Sequence, residues 1–213
     1  MVCYKNVHGP IEGREKPRTE NDAIVGLLQA GKTTLMEMLK EYLEKSGERT
    51  MFLNLDIEWD RPHFESQAAL IKKIELEIGR QSGYVFIDEI QRKDDAGLFL
   101  KGLSDLKLPY KFILSGSGSL ELKQKIHESL VGRKKLFELS TVTFEEFINY
   151  WTENRYEENL AEFLAIETDR AQQLLSEYMQ FGGYPRIVAA AEQREKLRLI
   201  DEIYRTLFLG FRF

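Results

Sequence analysis

Gly26-Leu27-Leu28-Gln29-Ala30-Gly31-Lys32-Thr33 decides how this 213-residue chain is read. The stretch satisfies the pattern G-x-x-x-x-G-K-[ST]. It follows an apolar run at residues 23–28, expected as a buried strand. It precedes residues 34–45, where Leu35, Met38, Leu39, Tyr42 and Leu43 are expected on one helical face. The glycines let the backbone curl, so that N–H groups from about Gln29 to Thr33 converge on one concavity, and the following helix adds its positive end. Such a cradle takes phosphates. Lys32 would reach the β- and γ-oxygens of ATP as a point charge, and the Thr33 hydroxyl would coordinate Mg2+. The expected nucleotide-binding residues are Gly26, Gln29, Ala30, Gly31, Lys32, Thr33 and Thr34.

Outward from the loop, short apolar runs alternate with helical patterns. Strands are expected at 50–55, 84–87, 111–114 and 136–139, and helices at 64–78, 98–106 and 119–130. Five strands alternating with helices imply strand-helix-strand crossovers and a mainly parallel sheet covered on both faces, a three-layer α/β core. Beyond residue 143 only helical patterns remain, interrupted by Phe181-Gly182-Gly183-Tyr184-Pro185 and resuming over 187–209. The expected organisation is an irregular lead-in at 1–22, a nucleotide-binding core at 23–142 and a small helical domain at 143–213. The apolar ending Leu-Phe-Leu-Gly-Phe-Arg-Phe suggests a fragment of a longer protein.

Tyr84-Val85-Phe86-Ile87-Asp88-Glu89 sets two carboxylates at the carboxyl end of a buried strand, where open α/β sheets bind ligands. Asp88 would hold Mg2+ through its water shell, and Glu89 would orient and activate the attacking water. The adjacent glutamate favours hydrolysis over binding alone. The fourth strand runs into Ser115-Gly116-Ser117-Gly118-Ser119, where Ser115 is the first choice for a hydroxyl between the acidic pair and the γ-phosphate. Ser117 and Ser119 fit a helix-capping turn equally well. Arg133, just before the fifth strand, either faces a nucleotide, its own or a neighbour's, or lies on the surface; position alone leaves both readings open.

Composition narrows the alternatives. Apolar residues at 43% and charged residues at 31% allow a full core under a polar surface. The formal net charge of −5 argues against a whole-surface affinity for nucleic acid, although Arg133-Lys134-Lys135 and the stretch from Arg194 to Arg198 leave local basic patches, more simply read as solvated helix faces. Cys3 alone makes no internal disulfide, and His8, His63 and His127 are scattered, so neither a disulfide framework nor a protein-only metal centre is expected. No apolar run approaches a membrane span and no signal peptide opens the chain, so a cytoplasmic location is expected. Asn-Lys-x-Asp is absent, which argues against GTP.

Together, residues 26–35, 84–91, 111–119, 129–133, 136–147 and 181–185 resemble the AAA+ branch of P-loop ATPases. More closely, they resemble a group of archaeal and bacterial ATPases carrying a C-terminal domain of unknown function, here apparently absent. The resemblance covers residue 23 to about 204 and implies Walker A and Walker B motifs, a sensor position at Ser115 and an arginine finger or sensor at Arg133. It also implies a helical lid in which Arg186 can serve as a second sensor. Leu27 and Leu28 stand where that group often has Pro and Arg. The expected function is Mg-dependent ATP binding and hydrolysis, with ADP as product, driving a switch or motor for an unidentified protein or nucleic-acid partner. A nucleotide-responsive binding module with little turnover is the alternative. No membrane partner is expected, and assembly of a homo-oligomer is left open.

Overall fold

Five parallel strands lie in the order β2-β3-β4-β1-β5. The computed structural model describes residues 21–118 and 134–206. The strands are β1 (Asn21–Gly26), β2 (Thr50–Asn54), β3 (Gly83–Asp88), β4 (Tyr110–Ser117) and β5 (Lys134–Leu139). Between them run α1 (Lys32–Lys45), α2 (Gln67–Ile78) and α3 (Ala96–Asp105). The expected helix at 119–130 and Arg133 fall outside the described residues. The described chain divides into two compact units, with the boundary between Leu139 and Ser140.

Each strand lies within a few residues of its expected position, because uninterrupted apolar runs mark strands buried on both faces. β1, β3 and β4 are buried along almost their whole length. Side chains alternate across the sheet. Ala23 and Val25, Val85 and Ile87, and Phe112 and Leu114 join Leu70, Ile74, Leu100 and Leu103 of α2 and α3 in one cluster. The intervening Ile24, Phe86 and Ile113 are equally buried and face the other layer, where α1 lies against β1, β3 and β4. β2 differs: its burial alternates, as befits a strand at the edge of the sheet. The face that α1 buries is the expected one only in part, sharing Leu35 and Leu43 with it. It carries Lys32, Leu35, Met36 and Leu43, while Met38 and Tyr42 are exposed. Lys32 opens the helix facing inward, and positions three and four residues on follow it.

From Ser140 the second unit contains α4 (Phe144–Trp151), α5 (Leu160–Ile166), α6 (Thr168–Phe181), α7 (Pro185–Ala189) and α8 (Gln193–Tyr204). The helical pattern read over 187–209 belongs, in its described part, to two helices. Ala190, buried against Phe181, Leu199 and Ile203, takes an extended conformation that ends the first. Gly183 is explained by close approach: a Cβ there would stand 2.1 Å from the carbonyl oxygen of Val142, whose N–H donates to Gly183 O at 2.8 Å. Lys196 is buried, pairs with Glu177, and lies over the rings of Trp151 and Phe181 at 5.2 and 5.4 Å. The basic stretch on α8 is therefore not a continuous exposed face.

α4 begins with a capping box. Thr143 Oγ1 accepts from Glu146 N at 3.3 Å, and the Glu146 carboxylate accepts from Thr143 N at 2.8 Å. Thr143→Ala removes half of this reciprocal pair and is expected to cost about 1 kcal/mol. Calorimetry should show a loss of roughly 2–4 °C in Tm.

Candidate functional site

The register of the sheet gathers the expected residues at its carboxyl edge. Asn54 lies opposite Asp88, Ile24 opposite Ser115, and Gly26 opposite both Ser117 and Leu139. The loop after β1 turns through two left-handed residues, Gln29 at φ 61° and Gly31 at φ 94°. Alternating backbone hand makes successive N–H groups converge. Gly31 adopts this conformation freely, whereas Gln29 holds it at a cost of order 1–3 kcal/mol. Gly26 serves another purpose: its φ is ordinary, but a Cβ there would stand 2.3 Å from Leu139 O.

No side chain caps the N-terminus of α1, and its first turn holds no acidic residue. Its leading N–H groups are therefore disposed toward an anion. Lys32 is buried, with Nζ donating to Leu27 O at 2.9 Å and Gly26 O at 3.2 Å. Burial pushes the Lys32 ammonium below its usual range, opposed by the negative charges of Glu89 and Asp88.

Asp88 is wholly buried and joins three strands and the loop. Thr33 Oγ1 donates to its Oδ2 at 2.7 Å, Asn54 Nδ2 reaches the same oxygen at 3.5 Å, and Ser115 Oγ donates to Oδ1. The Glu89 N–H also donates to Oδ1, at 3.1 Å. Ser115 is 1% exposed, and its hydroxyl is directed to Asp88. Glu89 follows in a left-handed conformation, φ 57°, and its carboxylate accepts from Gln91 Nε2. Burial raises the Glu89 carboxyl above the usual range, reinforced by Asp88 and opposed by the Gln91 hydrogen bond.

Thr33 Oγ1 and Asp88 Oδ2 are hard oxygen donors suited to Mg2+. Among the described residues no group of three or more His, Cys, Asp and Glu could hold a metal ion. An ion held by Thr33 and Asp88 would thus draw its remaining oxygen ligands from water and phosphate, as Mg2+ commonly does. Of the two expected arginines, Arg186 belongs to the second unit, where it pairs with Glu202 at 2.8 Å, and Arg133 lies outside the described residues. Asn54 and Gln91 were missed by sequence reasoning. The only signals for them were the end of the second strand and the residue two beyond Glu89.

A parallel sheet with the glycine-lysine-threonine loop after β1, the acidic pair after β3, and β4 inserted between those two strands defines an AAA+ P-loop ATPase core. An AAA domain model matches residues 19–148, more than half of the chain, and the protein belongs to that family. An uncharacterized protein of Methanocaldococcus jannaschii is 30% identical over 139 residues, covering 64% of this chain and 29% of the relative. An uncharacterized protein of Haemophilus influenzae is 24% identical over 195 residues, covering 88% of this chain and 44% of the relative. The chain thus spans less than half the length of either relative. Among solved structures, the Aeropyrum pernix ORC1 protein in complex with DNA aligns at TM-score 0.44 and 14% identity, over 90% of this chain and 61% of that one. Among the described residues no helix is long and apolar enough to cross a membrane.

Proposed function

We propose that this chain is a cytoplasmic, Mg-dependent ATPase in which the sheet unit hydrolyses ATP and the helical unit acts as a lid. The observation that carries this reading is the 2.7 Å hydrogen bond from Thr33 to Asp88, which brings the loop hydroxyl and the acidic strand to one point with Glu89 beside them. Gln29 to Thr34 would wrap the phosphates with their N–H groups, Lys32 would turn from Gly26 O and Leu27 O to the β- and γ-oxygens, and Thr33 and Asp88 would hold Mg2+. The ion would supply charge neutralisation on the phosphoryl oxygens. Glu89 would accept the proton of the attacking water, and the burial and Asp88 charge that raise its carboxyl above the usual range would make the ionised form a stronger base. Ser115 supports this by fixing Asp88. Arg133 and Arg186 are the candidate arginines for the γ-phosphate, and coupling to a protein or nucleic-acid partner, or to further copies of the chain, would turn hydrolysis into a switch.

Phosphate release measured with and without Mg2+ tests the reading. Glu89→Gln should lower kcat by about 10²-fold or more, since a positioned base contributes about 10²–10⁴-fold, while ATP binding is kept. Equal, magnesium-independent rates in the two proteins would overturn it. Tight ATP binding without turnover in the unaltered chain would instead support a nucleotide-responsive binding module.

A further inference from the structure

The turn after β3 holds one side chain to which the hydrolytic reading gives no part. From the left-handed Glu89 the chain enters a 3-10 turn over Ile90–Arg92, closed by Arg92 N donating to Glu89 O at 2.9 Å. Ile90 is wholly buried beneath it, and Arg92 is tied to Asp56 at 2.7 Å. This turn brings Gln91 between two elements. Its Nε2 donates to Glu89 Oε2, and its Oε1 accepts from the backbone N–H of Ser117 at 3.1 Å. Ser117 ends β4 in register with Gly26, the first residue of the phosphate loop. The next residue, Gly118, lies so close that a Cβ there would stand 3.1 Å from the Gly26 carbonyl carbon. One amide group thus links the Glu89 carboxylate to the strand end that packs on the loop.

We propose that Gln91 is a positioning residue for hydrolysis, its amide clamping the Glu89 carboxylate to the end of β4 so that the carboxylate moves with the phosphate loop. The inference rests on the hydrolytic reading. Glutamate has three freely rotating side-chain torsions, and a base is effective only when held near its attack geometry. An apolar side chain of equal length at position 91 would leave Glu89 free to turn and Ser117 N without its acceptor. A carboxylate at that position would still accept from Ser117 but would repel Glu89.

The test uses the full chain with Gln91→Met and Gln91→Glu, each also in a Glu89→Gln background. For Gln91→Met, kcat for Mg-ATP should fall about tenfold or more with KM within about twofold, because orientation is lost and nucleotide binding is not. Gln91→Glu should fall at least as far. In the Glu89→Gln background Gln91→Met should cause no further loss, since residues acting as one unit are not additive. An unchanged kcat, a KM that rises in proportion, or an equal loss in both backgrounds would overturn the proposal. If Gln91→Met does not fold, Gln91→Glu carries the same comparison. Amide hydrogen exchange in the ligand-free chain supplies a second readout. Exchange at Ser117 should quicken about tenfold in Gln91→Met and stay slow in Gln91→Glu. Unchanged exchange in Gln91→Met would overturn the clamp whatever the turnover. Absence of turnover in the unaltered chain, with normal exchange, would instead defeat the hydrolytic reading and with it the positioning role.

Discussion

Lys32→Ala is expected to remove ATP binding almost completely while leaving the fold in place. The ammonium is buried, lies in the field of Glu89 and Asp88, and donates to two loop carbonyls. Removing it takes away one of the two positive charges, Lys32 and Mg2+, that the proposed function sets against bound phosphate. Truncating one partner of a buried charged pair costs about 2–5 kcal/mol, or roughly 30- to 4,000-fold in Kd. The fold should lose little, because burial already disfavours the Lys32 ammonium and offsets the two hydrogen bonds it gives to loop carbonyls. Titration with a fluorescent ATP analogue and a melting curve on the same sample separate these effects. Lys32→Arg should not restore binding, since a planar fork cannot replace a point charge at the end of a flexible stem. Near-normal affinity in Lys32→Ala would remove the loop from the site.

The second large effect is on stability. Gly26→Ala places a methyl carbon 2.3 Å from Leu139 O and 3.2 Å from Leu139 Cβ, where nothing flexible can give way except β5 itself. Overpacking of this kind costs typically 1–3 kcal/mol, and a backbone clash puts it at the upper end, about 3 kcal/mol. For a chain of this size that is roughly 6–12 °C in Tm. Gly47→Ala is the control. Gly47 has φ +81° with no atom within 4 Å of a Cβ, so only backbone strain of about 1 kcal/mol is added. Equal losses in the two variants would mean that β1 and β5 do not meet at Gly26.

What the sequence revealed and what it hid follow from the range of the interactions. The loop, the acidic strand end and the run of strands are written in contiguous residues, so motif and periodicity find them. Hidden were the contacts set by register between strands. Asn54 meets Asp88 because β2 pairs with β3 as it does, and Gln91 meets Ser117 because β4 lies beside β3. Hydrophobic pattern also misjudged α1, where the inward demand of Lys32 selects Met36 over Met38. It missed the interruption at Ala190 as well, since no glycine or proline marks it and tertiary packing alone ends that helix. The purpose of Gly26 was legible only in part: the motif requires the glycine, yet its neighbour Leu139 lies more than a hundred positions away.

The hydrogen bonds that converge on Asp88 carry a thermodynamic consequence. Thr33, Asn54, Ser115 and the Glu89 N–H already occupy this carboxylate. The Thr33 hydroxyl keeps its two lone pairs while its O–H donates to Asp88, so on the proposed function Mg2+ would be taken up through that oxygen with the Thr33–Asp88 hydrogen bond left in place. Because the hydrogen bonds already orient both oxygens, the ordering cost of that pair would fall on folding rather than on ion binding.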